Sequence, residues 1–439
     1  MMLGSILNPI NSSIIAVALV PIAAAFGAPA SQTAWLVSSL YLATSIGQPL
    51  VGRLVDAFGP RRLFLVGAAL TLVAGLIGTL APSIGVLVVA RVVLGFGTCA
   101  GYPAAMSLIR SESARTGIRS PAGVLTALSV TTQTIAVVGP TLGGVLIGVG
   151  GWRATFAVNI PLGVACLVLG FLVLPRATAA SGSSGRFRID LVGILLFAAT
   201  LVSLLLYLMD LGVATLWLLG ITVLAAAGFA IRELRTSDPF IDVRVFAGNV
   251  PLLVTYARGV VAATVSYCFL YGVTQWMEDG RGLSASTTGL VLLPVFAAGI
   301  VVSTLTGRRP EVRLKLVVGA AVQLVGCALL LFVHADAAIW FLVVIGIVFG
   351  IPQGLVNLAI QNTLFHQADP ARMGASSGLL RTFMYLGAML ASSGSAAFFG
   401  DRATTTGLHE LAVFMLVAAG ILFVLTVADR SLRGVVPRG

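Results

Sequence analysis

The sequence predicts an all-α integral membrane protein with fourteen transmembrane helices: two six-helix bundles and two further helices inserted between them. Three observations lead there. Of 439 residues, 58% are apolar and only 9% are charged, whereas soluble domains average about 25% charged. Apolar runs of about 20 residues, enough to cross a ~30 Å hydrocarbon core, recur along the whole chain. Lys and Arg concentrate in alternate breaks between those runs, the pattern of a multi-pass topology. A soluble enzyme, a disordered chain, a repeat solenoid and a secreted disulfide scaffold are excluded.

The first run, 3–26, is too long for a cleavable signal peptide and lacks its basic flank. Met1 and Met2 abut it directly, which fits a start that lacks a short cytoplasmic tail. The second span, 33–56, closes on Asp56, and the chain turns through Gly59-Pro60 into Arg61 and Arg62, where the third, 62–81, begins. Spans 84–109, 122–149 and 154–174 complete the first bundle. Runs 190–209 and 213–231 are Leu-rich and read as one hairpin or as two full spans. They are flanked by a Ser/Gly-rich connection, 175–189, and by 232–249. The second bundle follows as 250–276, 286–306, 315–333, 338–365, 374–399 and 409–428. The expected domains are therefore 1–175, 176–249 and 250–439. Bundles built as repeats place a substrate site at their interface, near mid-membrane.

With the N-terminus taken as cytoplasmic, 20 of the 26 Lys and Arg lie on that side. Three, Arg153, Arg281 and Arg402, lie on the other, and Arg91, Arg258 and Arg381 lie inside helices. This split predicts both termini in the cytoplasm. It also accounts for the net charge of +11 without nucleic acid. The four cysteines, Cys99, Cys166, Cys268 and Cys327, sit in apolar runs without metal-like spacing and read as small buried hydrophobes. No catalytic constellation and no Walker-type string occurs, so the chain is read as neither an enzyme nor an ATP-driven pump, with no cofactor and no metal.

Several motifs fall at helix ends. "GRLVDAFGPRR" (Gly52 to Arg62) follows the second helix and "RVVLGFG" (Arg91 to Gly97) lies in the fourth. "GPTLGG" (Gly139 to Gly144) lies in the fifth, and "GGWRATFAVNIPLG" (Gly150 to Gly163) follows it. "DPFIDVRVFAGN" (Asp238 to Asn249) precedes the second bundle, and "QWMEDGRGLSASTTGLVLLP" (Gln275 to Pro294) enters its second helix. The first three resemble motifs A, B and C of the major facilitator superfamily, and the ordered set resembles its fourteen-helix drug:proton antiporter branch over nearly the whole chain. One departure is Ile135, where that pattern has a small residue.

The resemblance implies alternating access and export. It implies that Asp56, with Gly52, Arg53, Gly59, Arg61 and Arg62, forms a conformational latch against the thirteenth helix near Arg372 to Ser377. It implies that Arg91 is structural. Gly139, Pro140, Gly143 and Gly144 would give a kinked, smooth-faced fifth helix that either packs plainly or seals the cavity. The matching loop of the second half, "TLTGRRPEVR" (Thr304 to Arg313), has no acid before its basic pair, which makes the latch one-sided.

A proton antiporter needs a titrating group. Asn11 stands where the family usually carries a first-helix acid, and no other carboxylate falls near a membrane centre. The chain offers three intramembrane Arg instead. A bare Arg in hydrocarbon costs several kcal/mol, so each must face a cavity, meet carbonyl oxygens or meet an anion. Arg258 is close enough to an interface to snorkel. Arg381, with Tyr385 at i+4, is the best substrate candidate. Gln353, Asn357 and Gln361 share one helix face, as do Tyr267, Tyr271 and Gln275. With Asn8, Asn11 and Gln133 they form either polar glue between helices or a wet substrate path.

The expected function is a secondary active exporter of amphipathic or drug-like small molecules in the cytoplasmic membrane. Its partners are a small-molecule substrate, the lipid bilayer and, by the resemblance, protons; it is expected to be monomeric. The rivals are an uptake carrier for an anionic metabolite and a non-transporting receptor or scaffold.

Overall fold

The computed structural model describes residues 4, 6–105, 108, 122–174, 190–209, 212–236, 239–241, 244, 249–306, 311–367, 373–429 and 431–432. Helix is the only regular structure among them. In hydrocarbon this is the economical solution, because a helix satisfies its backbone groups within itself. Many hydroxyls follow suit: Thr44, Thr71 and Thr363 each donate to the carbonyl one turn back.

The helices stand where the apolar runs predicted them. α1 (Leu7–Ile14) and α2 (Leu19–Phe26) replace the single first span. They are bent by 57° at a short 3-10 turn. Pro21 explains the break, because it has no N–H to offer the carbonyl of Val17 and its ring crowds the preceding turn. α3 (Ala30–Phe58) and α4 (Pro60–Thr79) are joined at Gly59 alone, whose φ of 87° only glycine adopts without strain. α5 (Ile84–Ala105), α6 (Ala122–Gly150) and α7 (Ala154–Val173) follow. The doubtful pair is two helices, α8 (Leu191–Met209) and α9 (Leu216–Arg235).

The rest are α10 (Val250–Cys268, prolonged by wide π turns at Phe269–Val273 and Trp276–Gly280), α11 (Ala285–Thr306) and α12 (Val312–Leu330). α13 (Ile339–Gln367), α14 (Met373–Phe399) and α15 (Thr405–Val427) close the chain. Among the described residues, eleven helices are long and apolar enough to cross a membrane, or twelve if the bent pair counts as one. α3 and α6, each of 29 residues, stand at the second and fifth expected spans outside that number.

Outward-facing surfaces are apolar, as lipid requires: Val66, Leu172, Leu224, Val417 and Val424 are all exposed. α9 is almost wholly peripheral. It pairs with α8 through a Ser203–Thr222 hydroxyl bond of 2.9 Å, a Phe197–Phe229 ring contact and an Asp190–Arg232 ion pair of 3.1 Å. α8 in turn rests on α3 and α14.

The buried apolar cores are distributed unevenly with depth. The helix ends carrying Arg61, Arg62, Arg232, Arg235 and Arg313 define a basic face. Toward the opposite face, one continuous core joins both halves of the chain, with Leu19, Leu36 and Tyr41 packed among residues such as Val265, Leu292, Ala391 and Leu411. Toward the basic face the core divides. Leu7, Val55, Phe64, Ala104 and Cys166 form one cluster, and Leu252, Val312, Ile360, Leu379 and Leu432 another, with Leu50 of α3 packed against the second.

Candidate functional site

Where the continuous core gives way to the divided one, tyrosines gather at the seam between the halves. Tyr41, near the middle of α3, stacks on Tyr385 of α14 at 5.3 Å and meets Tyr267 of α10 edge-on at 5.3 Å. Tyr267 stacks on Tyr271 at 5.6 Å. The Tyr41 and Tyr271 hydroxyls are 3.0 Å apart, and Tyr271 also donates to the Ser12 carbonyl at 3.1 Å. Arg381, one turn before Tyr385, lays its guanidinium over the ring of Tyr102 on α5 at 4.1 Å and interacts with Tyr385. Gln48 of α3 interacts with Tyr385 in turn. Five of the seven tyrosines therefore surround this point.

The three intramembrane arginines differ. Arg258 is fully buried and pairs with Asp429, just past α15, and with the Leu425 carbonyl. It belongs to a structural lock and does not snorkel. Arg91 is 1% exposed and donates to the carbonyls of Leu36 at 2.7 Å and Asn11 at 3.2 Å, tying α5 to α3 and α1. Arg381 alone is partly exposed, and among the described residues no carboxylate lies within ion-pair distance of it.

Of the sequence-derived path residues, Tyr267, Tyr271, Arg381 and Tyr385 meet here. Asn11 does not. Its amide and that of Asn159 on α7 exchange two hydrogen bonds of 2.7 and 2.8 Å, both residues being buried. The amide in the acid's place is thus a closed structural pair. Asn8 donates to Thr98 at 3.1 Å. Gln275 lines a different cavity, of about 220 Å³, at the face opposite the basic one, with Asp279 and Asp401. Gln353 and Asn357 are partly buried and Gln361 is exposed along α13, and none is hydrogen-bonded to the tyrosines among the described residues. The side chain of Gln133 lies outside the described residues.

The latch is described only in part. The side chains of Arg53 and Asp56, and residue Arg372, lie outside the described residues. Arg61 donates to the Phe171 carbonyl at 2.9 Å and covers that ring, so it fastens α4 to α7. Arg62 is exposed, and among the described residues a side chain at Gly52 would meet nothing within 4 Å.

The glycines of α6 do pack closely. A Cβ at Gly139 would strike Ser13, and one at Gly143 would press on Val17 at 2.7 Å. One at Gly144 would meet the backbone of Ala285 at 2.7 Å across the seam. Thr141 donates to the Gly289 carbonyl at 3.0 Å and Ser286 to that of Gly144 at 2.8 Å. This helix, with Pro140 inside it, packs against both its own half and the other away from the basic face.

Tyr41, Gln48 and Tyr102 were not singled out in the sequence, and Asn159 entered only as the Asn of the string from Gly150 to Gly163. Scarcity was the available signal for the tyrosines, since seven in 439 residues seldom meet by chance. Glu278, placed at a helix end by the sequence, is 6% exposed within the second π turn, and its Oε1 has no hydrogen-bond partner among the described residues.

Comparison with known proteins agrees with this architecture. The sequence model of the Major Facilitator Superfamily matches residues 1–392. The chain is 34% identical to the uncharacterized MFS-type transporter YwoD of Bacillus subtilis, over 98% of this chain and 95% of that protein. It is 29% identical to the multidrug resistance protein Stp of Mycobacterium tuberculosis, over 88% and 72% of the two chains. Among solved structures, a point mutant of the nucleoside transporter NupG superposes with a TM-score of 0.65 at 10% identity, over 98% of each chain.

Proposed function

The chain belongs to the major facilitator superfamily, a multi-pass membrane transporter rather than an enzyme, and on that premise we propose that it exports amphipathic, drug-like small molecules by alternating access. The observation that carries the reading is the uneven core. One side of the membrane domain is closed by a continuous apolar core, while the other holds one cluster in each half, with Leu50 of α3 reaching across to the second. The tyrosine–arginine group lies at the junction, where a substrate would be passed from one side to the other. The drug-resistance function named for Stp supports the outward direction.

In this reading the protein has fourteen crossings, in two bundles (1–175 and 250–439) around the inserted pair. It sits in the cytoplasmic membrane with its basic face and both termini inward, as the Arg distribution favours. It works as a monomer. Asp56 acts as the latch, so Asp56→Asn inserts normally and cycles poorly.

Coupling to protons through the first helix does not fit, because Asn11 cannot titrate and is closed onto Asn159. Glu278 is the described carboxyl best suited to carry a proton, being buried with one oxygen unsatisfied. Of the helices packed on its turn, α11 has no titratable side chain and α15 brings His409 and Glu410.

Proteoliposome flux with an imposed pH gradient tests the whole reading. Substrate accumulating in inside-out vesicles supports export, and uptake in the opposite sense alone replaces it with the uptake alternative. Glu278→Gln is expected to lose gradient-driven accumulation while keeping substrate exchange; full accumulation in that variant removes Glu278 from the scheme.

A further inference from the structure

We propose that the Arg381 site selects substrates in which an anionic group is joined to a planar aromatic ring. This deepens the export reading and rests on it. The first support is unspent charge. Arg258 has Asp429, and Arg91 is buried and committed to two carbonyls. Arg381 carries the same full charge, is partly exposed, and its partners among the described residues are Tyr102 and Tyr385. A guanidinium in that state is a preformed partner for a carboxylate, which it can grip with two parallel N–H donors. A cationic substrate would meet like charge at the same point, with no described acid nearby to offset it.

The second support is shape. Tyr102 lies against the guanidinium face, Tyr385 interacts with it and Tyr267 lies within electrostatic reach, and aromatic rings prefer stacked or edge-on neighbours. Tyr267 is itself partly exposed, so the group is not closed over. A ring with an anionic edge satisfies the tyrosine faces and the guanidinium together.

The third support is position. Tyr102 is on α5 and Arg381 on α14, so their contact crosses between halves at a depth where the apolar cores are already separate. An anion competes with the Tyr102 ring for the same guanidinium. Its arrival removes a bridge between the halves, which ties occupancy to movement.

The test uses the full chain in liposomes and three probes that share one ring: 2-naphthoate, 2-naphthalenemethanol and 2-naphthylmethylamine. Binding is read by quenching of intrinsic fluorescence, corrected against protein-free liposomes. The expected result is 2-naphthoate binding about tenfold more tightly than the other two. Arg381→Gln should erase that preference, and Arg381→Lys should keep it at lower affinity. Equal binding of the three probes to the wild type, or a preference that survives Arg381→Gln, overturns the proposal. If Arg381→Gln does not reconstitute, the wild type and Arg381→Lys decide it by the same criterion. The flux assay separates this inference from its premise. Export of amphiphiles without an anion preference overturns the substrate class alone, and an anion preference without any accumulation overturns export alone.

Discussion

The seam between the two halves is built by different chemistry at its two ends. Away from the basic face, Gly144 of α6 and Gly289 of α11 bring the halves to backbone contact, while Gly139 and Gly143 pack α6 on the first segment of its own half, and one apolar core runs through both halves. Toward the basic face each half has its own apolar core, and the described contacts that cross the seam are Leu50 of α3 against the second core and Arg381 on Tyr102. In lipid, apolar side chains gain little by leaving hydrocarbon for a protein interior, so close packing of small residues decides which helices stay together. The glycine end has that packing. The other end has a polar contact that a ligand can outcompete. A transporter needs one such closure on each side of its site at different times, and the structure holds the small-residue closure made, with a lighter contact on the other side.

The largest test of this contrast is Gly144→Leu. Its side chain would enter the backbone of Ala285 and Ser286 in the opposite half. The clash is relieved by opening that side, so the protein should still insert while transport falls more than tenfold. Thiol labelling of a cysteine placed at Ser286 by a membrane-impermeant reagent should rise in the same variant. Unchanged flux with unchanged labelling would mean the glycine face is ordinary packing.

The next effect lies within one half. Asn159→Leu leaves the buried Asn11 Oδ1 without its donor, while the Asn11 N–H keeps the Leu7 carbonyl, at a cost of about 1–3 kcal/mol. The double variant Asn11→Leu/Asn159→Leu should recover much of that loss, since replacing both partners removes the unsatisfied group. Thermal melting in detergent measures both. Equal losses in the single and double variants would show that the pair is not closed on itself.

These two cases mark what the sequence could show. Helix positions were legible because hydrocarbon imposes a length and because acids, Gly-Pro turns and arginines interrupt the apolar runs at Asp56, Gly59 and Arg61. The glycine face of α6 was legible as a pattern, though its partners on α1 and α11 were not. The bend at the start has a local cause in Pro21, which an apolar run of unbroken length conceals. Asn11–Asn159 was illegible because the pairing spans 148 residues and neither amide marks the other. The same holds for Arg258 with Asp429, separated by 171. Tyr267, Tyr271, Arg381 and Tyr385 were found because they stand on helix faces of recognisable period. Tyr41 and Tyr102 supply the other half's share, and only the fold brings them in.

Tyr41→Phe probes the junction itself. It removes the hydroxyl shared with Tyr271, which retains its bond to the Ser12 carbonyl, so the stability loss should be about 0.5–1.5 kcal/mol. The ring and its stacking on Tyr385 remain. Substrate affinity should therefore change less than stability does, and a larger change in affinity would give the hydroxyl a direct role in binding.

The smallest effect on transport supplies a control on the same side as Arg381 but off the seam. Burial opposes the charge on Asp429, yet the hydrogen bonds from Ser431 and Arg258 outweigh it and hold the carboxyl below its usual pKa. A depressed folded-state value means the contribution is fully present above the unfolded value, near ~4, and is lost as pH falls through the folded one. The stability gap between wild type and Asp429→Asn should therefore stay constant from neutral pH down to about 4 and narrow below it. Flux per folded molecule should be unchanged, because this lock joins α10 to the end of α15 within one half. If Asp429→Asn impaired transport as strongly as Gly144→Leu, rearrangement inside the second half would be part of the cycle, and the two ends of the seam would not be its only moving closures.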